Sequence, residues 1–70
     1  MTPAELGLSA RQGQILALVL QGLPNKRIAS QLDIAESTVK EHVTGILERL
    51  RVRIRVEAIT LLRGRRLELS

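Results

Sequence analysis

Seven arginines, Arg49, Arg51, Arg53, Arg55, Arg63, Arg65 and Arg66, stand from position 49 onward against only two carboxylates, Glu57 and Glu68. Residues 1–48 hold four basic and five acidic side chains, so the formal net charge of +4 is carried wholly by the C-terminal third. A guanidinium is a planar fork of donors that matches phosphate oxygens, and a concentrated block of them favours a polyanionic partner over a merely solvated charge run. A second group has a different chemistry. Lys40, Glu41 and Thr44 bring an amine, a carboxylate and a hydroxyl with a methyl within one helical turn. These are groups that meet guanine, cytosine N4 and the thymine methyl in a major groove. Each also has a plainer reading as a solvated surface residue, and a carboxylate at Glu41 would be repelled by phosphates. Catalytic chemistry is not offered. There is no cysteine, no nucleophile–base pair and no phosphate loop, and the single His42 has no second metal ligand at a usable spacing. We expect no enzyme, no metal and no cofactor; His42 reads as a semi-buried or phosphate-facing residue.

Size and composition narrow the partner. Seventy residues make one small domain, since a chain this short buries only about 60% of its unfolded surface. Without cysteine the core must be held by packed aliphatic side chains. The longest apolar run, Ile15 to Leu20, is six residues, whereas a membrane-spanning helix needs about 20. Phe, Trp and Tyr are absent, which removes the stacking platforms that single-strand and RNA binders use. The expectation is a cytoplasmic chain with no membrane contact whose nucleic-acid partner is duplex DNA.

The elements that must position these groups are helical. Ser9 with Gln12 has the spacing of a capping box, Ile15, Leu16, Val19 and Leu20 follow at helical spacing, and Gly22 with Pro24 stops the run. Helix one is expected over about Ser9 to Gln21. Asn25 is expected to cap a second helix of about two turns carrying Ile28 and Leu32. Val39, Val43, Ile46, Leu47 and Leu50 define a third helix from about Glu36 to Leu50. The short break at Asp33, Ile34 and Ala35 makes helices two and three a helix-turn-helix. Val52 to Val56 alternates like a strand, but a lone strand would have no ladder to join. It is read instead as a linker into a fourth helix from about Arg55 to Arg63, ended by Gly64. The expected fold class is all-α, a four-helix bundle.

On a wheel of about 100° per residue the apolar positions of helix three share one arc. Ser37, Glu41, Thr44 and Glu48 lie opposite with Gly45 alongside, Lys40 flanks one edge, and Thr38, His42 and Arg49 flank the other. Compact polar groups between basic and hydroxyl margins suit a helix lying in the major groove. Gly45 should weaken the helix by about 1 kcal/mol relative to alanine; close approach of a DNA backbone and simple tolerance both remain open as its reason.

From about Leu8 to Gly64 the chain resembles the LuxR/NarL-type, or GerE-like, helix-turn-helix domain of bacterial response regulators and quorum sensors. The resemblance rests on Leu8-Ser9-Ala10-Arg11, Ile15-Leu16, Gly22-Leu23-Pro24-Asn25-Lys26, Ile28-Ala29, Leu32-Asp33-Ile34, Ser37-Thr38-Val39-Lys40, His42-Val43, Leu50, Val52, Arg55 and Ala58. The block Leu23 to Val43 with Arg55-Val56-Glu57-Ala58 is most similar to the NarL branch. The resemblance implies residues 8–64 as the DNA-binding domain, 1–7 as a flexible N-terminal segment and 65–70 as a frayed basic tail. It implies that Lys40, Glu41 and Thr44 face bases and that Asn25, Lys26, Thr38 and Arg49 hold phosphates. A homodimer on DNA would form through helix four at Val56, Ile59, Thr60 and Arg63. RNA polymerase is a further implied partner. Most such domains follow a sensor or receiver domain, so the chain is expected to be either an excised C-terminal part or a naturally short regulator, the former being favoured.

Four departures stand out: Gln14 for a usual glutamate, Ala35 for a serine cap, Arg51 for a glycine after helix three and Ile54 for a small polar cap of helix four. Together they point to a marginal or unusually shaped junction over residues 50–55. Two rival functions stay in view. One is a small helical interaction or dimerisation module that contacts the transcription machinery. The other is a cationic amphipathic tail at anionic membranes, built from Arg63, Arg65, Arg66, Leu67 and Leu69 but lacking aromatic anchors.

Overall fold

A computed structural model describes residues 1–69. Every regular element among them is helical: a 3-10 turn at Ala4–Leu6, then α1 (Ala10–Leu20), α2 (Asn25–Leu32), α3 (Glu36–Leu50) and α4 (Arg55–Leu61). The architecture is all-α, with α2, the turn 33–35 and α3 forming the helix-turn-helix.

Local chemistry sets the helix ends. The N–H of Gln12 donates to Ser9 Oγ and the N–H of Ser9 to Gln12 Oε1, both at 3.1 Å, closing the capping box that starts α1. The stops of α1, α2 and α3 share one device. Gly22, Asp33 and Arg51 are left-handed at φ 85°, 55° and 59°. The next N–H then reaches back to the helix: Leu23 to the Leu18 carbonyl at 3.2 Å, Ile34 to Ala29 at 3.0 Å and Val52 to Leu47 at 3.0 Å. Glycine adopts this conformation freely and a short polar aspartate tolerates it, but the Cβ of Arg51 crowds its own carbonyl. Arg51→Gly should therefore stabilise the domain by about 0.5–1 kcal/mol after the larger unfolded-state entropy of glycine is subtracted. A rise in melting temperature of roughly 2–8 °C is expected, and a fall would show that the arginine makes a compensating contact.

Two expectations are corrected. Asn25 does not cap α2: Pro24 holds that place, with its carbonyl accepting from the N–H of Arg27 at 3.0 Å and of Ile28 at 3.1 Å, and Asn25 is the first helical residue. Helix four ends at Leu61, not Arg63, because the Arg63 N–H turns tightly onto the Thr60 carbonyl at 3.3 Å ahead of left-handed Gly64. The junction over residues 50–55 carries the left-handed Arg51 at φ 59° and is bonded beyond it. There Glu57 Oε1 accepts from the N–H of Arg53 at 2.7 Å and of Ile54 at 3.2 Å, the carboxylate half of a capping box whose other half an isoleucine side chain cannot supply.

The core is aliphatic throughout: Ile15, Leu16 and Val19 from α1, Ile28 and Ala29 from α2, Val39 and Ile46 from α3, with Leu8, Ala58 and Leu62. No polar or charged residue is buried among the described residues. The two flanks meet each other. The Met1 amine donates to the Arg66 carbonyl at 2.7 Å, and the Glu68 N–H donates to the Met1 carbonyl at 2.7 Å. Pro3 lies so close to α1 that a Cβ at Gly13 would come within 2.3 Å of its ring, so only glycine fits there.

Candidate nucleic-acid interface

The aliphatic core fixes the rotation of α3. Val39 is fully buried and Ile46 is 2% exposed, and the helix packs by this side on α1 and α2. A helix anchored there must turn the opposite residues outward. Ser37, Lys40, Glu41, Thr44 and Glu48 are all exposed. The three residues expected to face bases thus share one open side of the helix, with Thr38 and His42 half-buried at its margin.

The expected phosphate-holding residues divide. Lys26 is exposed on the first turn of α2. Arg49 is exposed near the end of α3 and, with Gln12, Gly45 and Glu48, lines a polar groove of about 420 Å³. Asn25 is half-buried and its Oδ1 accepts from Arg55 Nη2. Arg55 also donates from Nη1 to the Leu23 carbonyl at 3.1 Å. It is the one basic side chain of the eleven that is not exposed, so the arginine block is not uniformly available to a polyanion.

Two features lie beyond sequence periodicity. Gly45 does not sit on the open face: a Cβ there would meet Gln12 Nε2 at 3.1 Å, so the glycine lets the first turn of α1 pass close to α3. Gln14 is exposed and α1 carries no buried ionic tie at that position. A glycine set against Gln12, which is distant in the chain, leaves no trace in linear spacing, whereas the Arg55–Asn25 pair has one clue, the match of both residues to a family pattern.

On α4, Val56, Thr60 and Arg63 are exposed and Ile59 is half-buried. Val56 and Ile59 border a groove of about 470 Å³ that also includes Leu23, Asn25 and Arg55. Val56 is 61% exposed and the preceding Ile54 56%, an apolar edge on an otherwise charged surface.

Residues 6–62, from the 3-10 turn to the end of the core, match the family model of bacterial regulatory proteins, luxR family. The chain belongs to the luxR family. It is accordingly a DNA-binding helix-turn-helix domain of the kind found in bacterial regulatory proteins, a family of transcriptional regulators and not of enzymes. This LuxR-family domain is 55% identical over 51 residues to the nitrate/nitrite response regulator protein NarL of Escherichia coli strain K12, a match covering 73% of the chain and 24% of that protein. It is 48% identical over 54 residues to the nitrate/nitrite response regulator protein NarP of the same organism, covering 77% of the chain and 25% of NarP. To the glycerol metabolism activator of Pseudomonas putida it is 50% identical over 52 residues, covering 74% of the chain and 24% of the relative. The LuxR-family domain thus spans about a quarter of the length of these relatives. None of its described helices is long and apolar enough to cross a membrane.

Proposed function

We propose that this LuxR-family domain is the DNA-reading part of a cytoplasmic response regulator, and that it binds specific duplex sites as a homodimer with α3 in the major groove. Lys40, Glu41 and Thr44 read base edges. Lys26, Arg49, Thr38 and Asn25 hold the phosphate backbone and set the register. The two copies meet through Val56, Ile59, Thr60 and Arg63, and RNA polymerase is the partner through which binding acts. The observation that carries this reading is the shared exposure of Lys40, Glu41 and Thr44 on the side of α3 turned away from the buried Val39 and Ile46, Lys40 at its edge. For the dimer the support is the apolar edge of α4 at Val56 and Ile59. The response-regulator assignment is supported by the similarity to NarL and NarP, both nitrate/nitrite response regulator proteins.

The test separates reading from holding. Duplexes selected from a random pool by the purified protein supply a preferred site, against which a scrambled duplex is compared. Lys40→Ala should lose about 1–3 kcal/mol of preference for the selected site. Arg49→Ala should weaken both duplexes alike. Equal losses on both duplexes for both variants would remove the division of labour between the two residues.

A further inference from the structure

The side chain of Arg55 joins two elements that lie far apart in the chain. It opens α4, yet its guanidinium donates from Nη1 to the Leu23 carbonyl at 3.1 Å and from Nη2 to Oδ1 of Asn25, the first residue of α2. Both residues border the groove between α4 and the entry to α2. The chemistry of the pair is one-sided. A guanidinium has donors and no acceptor, so it can meet only the oxygen end of a carboxamide. The opposite flip of Asn25 would set N–H against N–H. With Oδ1 engaged, the group that Asn25 has left for any ligand is its Nδ2, which carries two donors.

We infer that Arg55 is a positioning residue for DNA binding: it fixes the flip of the Asn25 amide so that Asn25 offers donors, the polarity that a phosphodiester oxygen accepts, beside the charge of Lys26. The inference rests on the proposed reading of Asn25 and Lys26 as phosphate contacts. It also gives the half-buried arginine a use that its charge alone does not, since a guanidinium tied to a carbonyl and an amide is withdrawn from direct contact with a polyanion. An arginine on α4 thereby reaches the first turn of the helix-turn-helix across 30 residues of sequence.

The experiment measures binding of the whole 70-residue chain to a scrambled duplex, with thermal unfolding of each variant alongside. Asn25→Asp keeps an oxygen for Arg55 but replaces the two donors with a charged acceptor. It should melt at or above the wild-type temperature while affinity falls at least about tenfold. Arg55→Gln and Asn25→Ala should each lower affinity several-fold, and the double variant should bind no worse than Asn25→Ala alone, because Arg55 acts through Asn25. Additive losses in the double variant, or wild-type affinity in Asn25→Asp, would overturn the assignment. If the folded wild type fails to bind duplex at all, the DNA-contact reading falls and this inference with it. If Lys26→Ala weakens binding while the Asn25 variants do not, only the role given to Arg55 is lost.

Discussion

Raising salt from 50 to 200 mM should weaken binding of this LuxR-family domain to its duplex by at least about 150-fold. Each phosphate neutralised by a lysine or arginine adds about −0.9 to the slope of log affinity against log salt. Lys26 and Arg49 are the exposed cations proposed to hold phosphates, two in each copy. A dimer then has a slope of about −3.6, and a single bound copy only about −1.8, which over the same fourfold change in salt is roughly a 12-fold loss. Lys40 lies on the same side of α3 and can only steepen these values if it also feels the backbone. The slope therefore reports stoichiometry as well as mechanism. Arg49→Ala should reduce its magnitude by about 0.9 per copy, halving the dimer value. Arg55 variants should leave it nearly unchanged, because that guanidinium is occupied within the protein. A flat dependence in the wild type would exclude phosphate anchoring, and an undiminished slope in Arg49→Ala would move the anchor elsewhere in the arginine block.

What was legible in the sequence was what neighbouring residues decide among themselves. The capping box at Ser9 and Gln12 closes within one turn, and α3 runs over Glu36–Leu50 as its apolar spacing requires. The open side of α3 is legible for the same reason: Val39 and Ile46 fix the helix rotation, and 3.6-residue periodicity places Glu41 and Thr44 opposite with Lys40 at the edge. The alternating run Val52 to Val56 was kept out of a sheet by the absence of a partner, and the structure makes it a turn and the start of α4. Illegible were the features set by residues distant in the chain. Gly45 reads as a weak point of α3 until the amide of Gln12 is found against it, and Arg55 counts as one more positive charge until Leu23 and Asn25 are found at its tip. Side-chain chemistry puts the α2 cap at Asn25, one position late, because the carbonyl of Pro24 starts α2. Spacing likewise overextends α4, carrying an apolar stripe past the point where Arg63 folds back onto Thr60.

Ile46→Ala should unfold much of the domain, whereas Thr44→Ala, two residues away on the same helix, should leave it folded and less selective. Ile46 is 2% exposed and packs in the cluster with Ile15, Leu16, Ile28 and Val39. Truncating such a side chain loses its transfer free energy and leaves a cavity, together about 2–5 kcal/mol. A domain of this length is stable by only about 4–10 kcal/mol, at roughly 0.05–0.15 kcal/mol per residue, so one such loss removes a large share of it. The melting temperature should drop by roughly 10–30 °C, and DNA binding should fall in proportion to the unfolded fraction on every sequence alike. Thr44 is exposed, so its truncation should change stability by no more than about 0.5 kcal/mol. Its cost should appear as lost preference for the selected site over the scrambled one. The contrast follows from helix rotation alone: two positions along α3 turn the side chain through about 200°, from the interior to the open side. If Thr44→Ala destabilised the fold as Ile46→Ala does, or if Ile46→Ala changed preference at an unaltered melting temperature, α3 would be rotated differently. Its Lys40, Glu41 and Thr44 edge would then not be the surface that meets the bases.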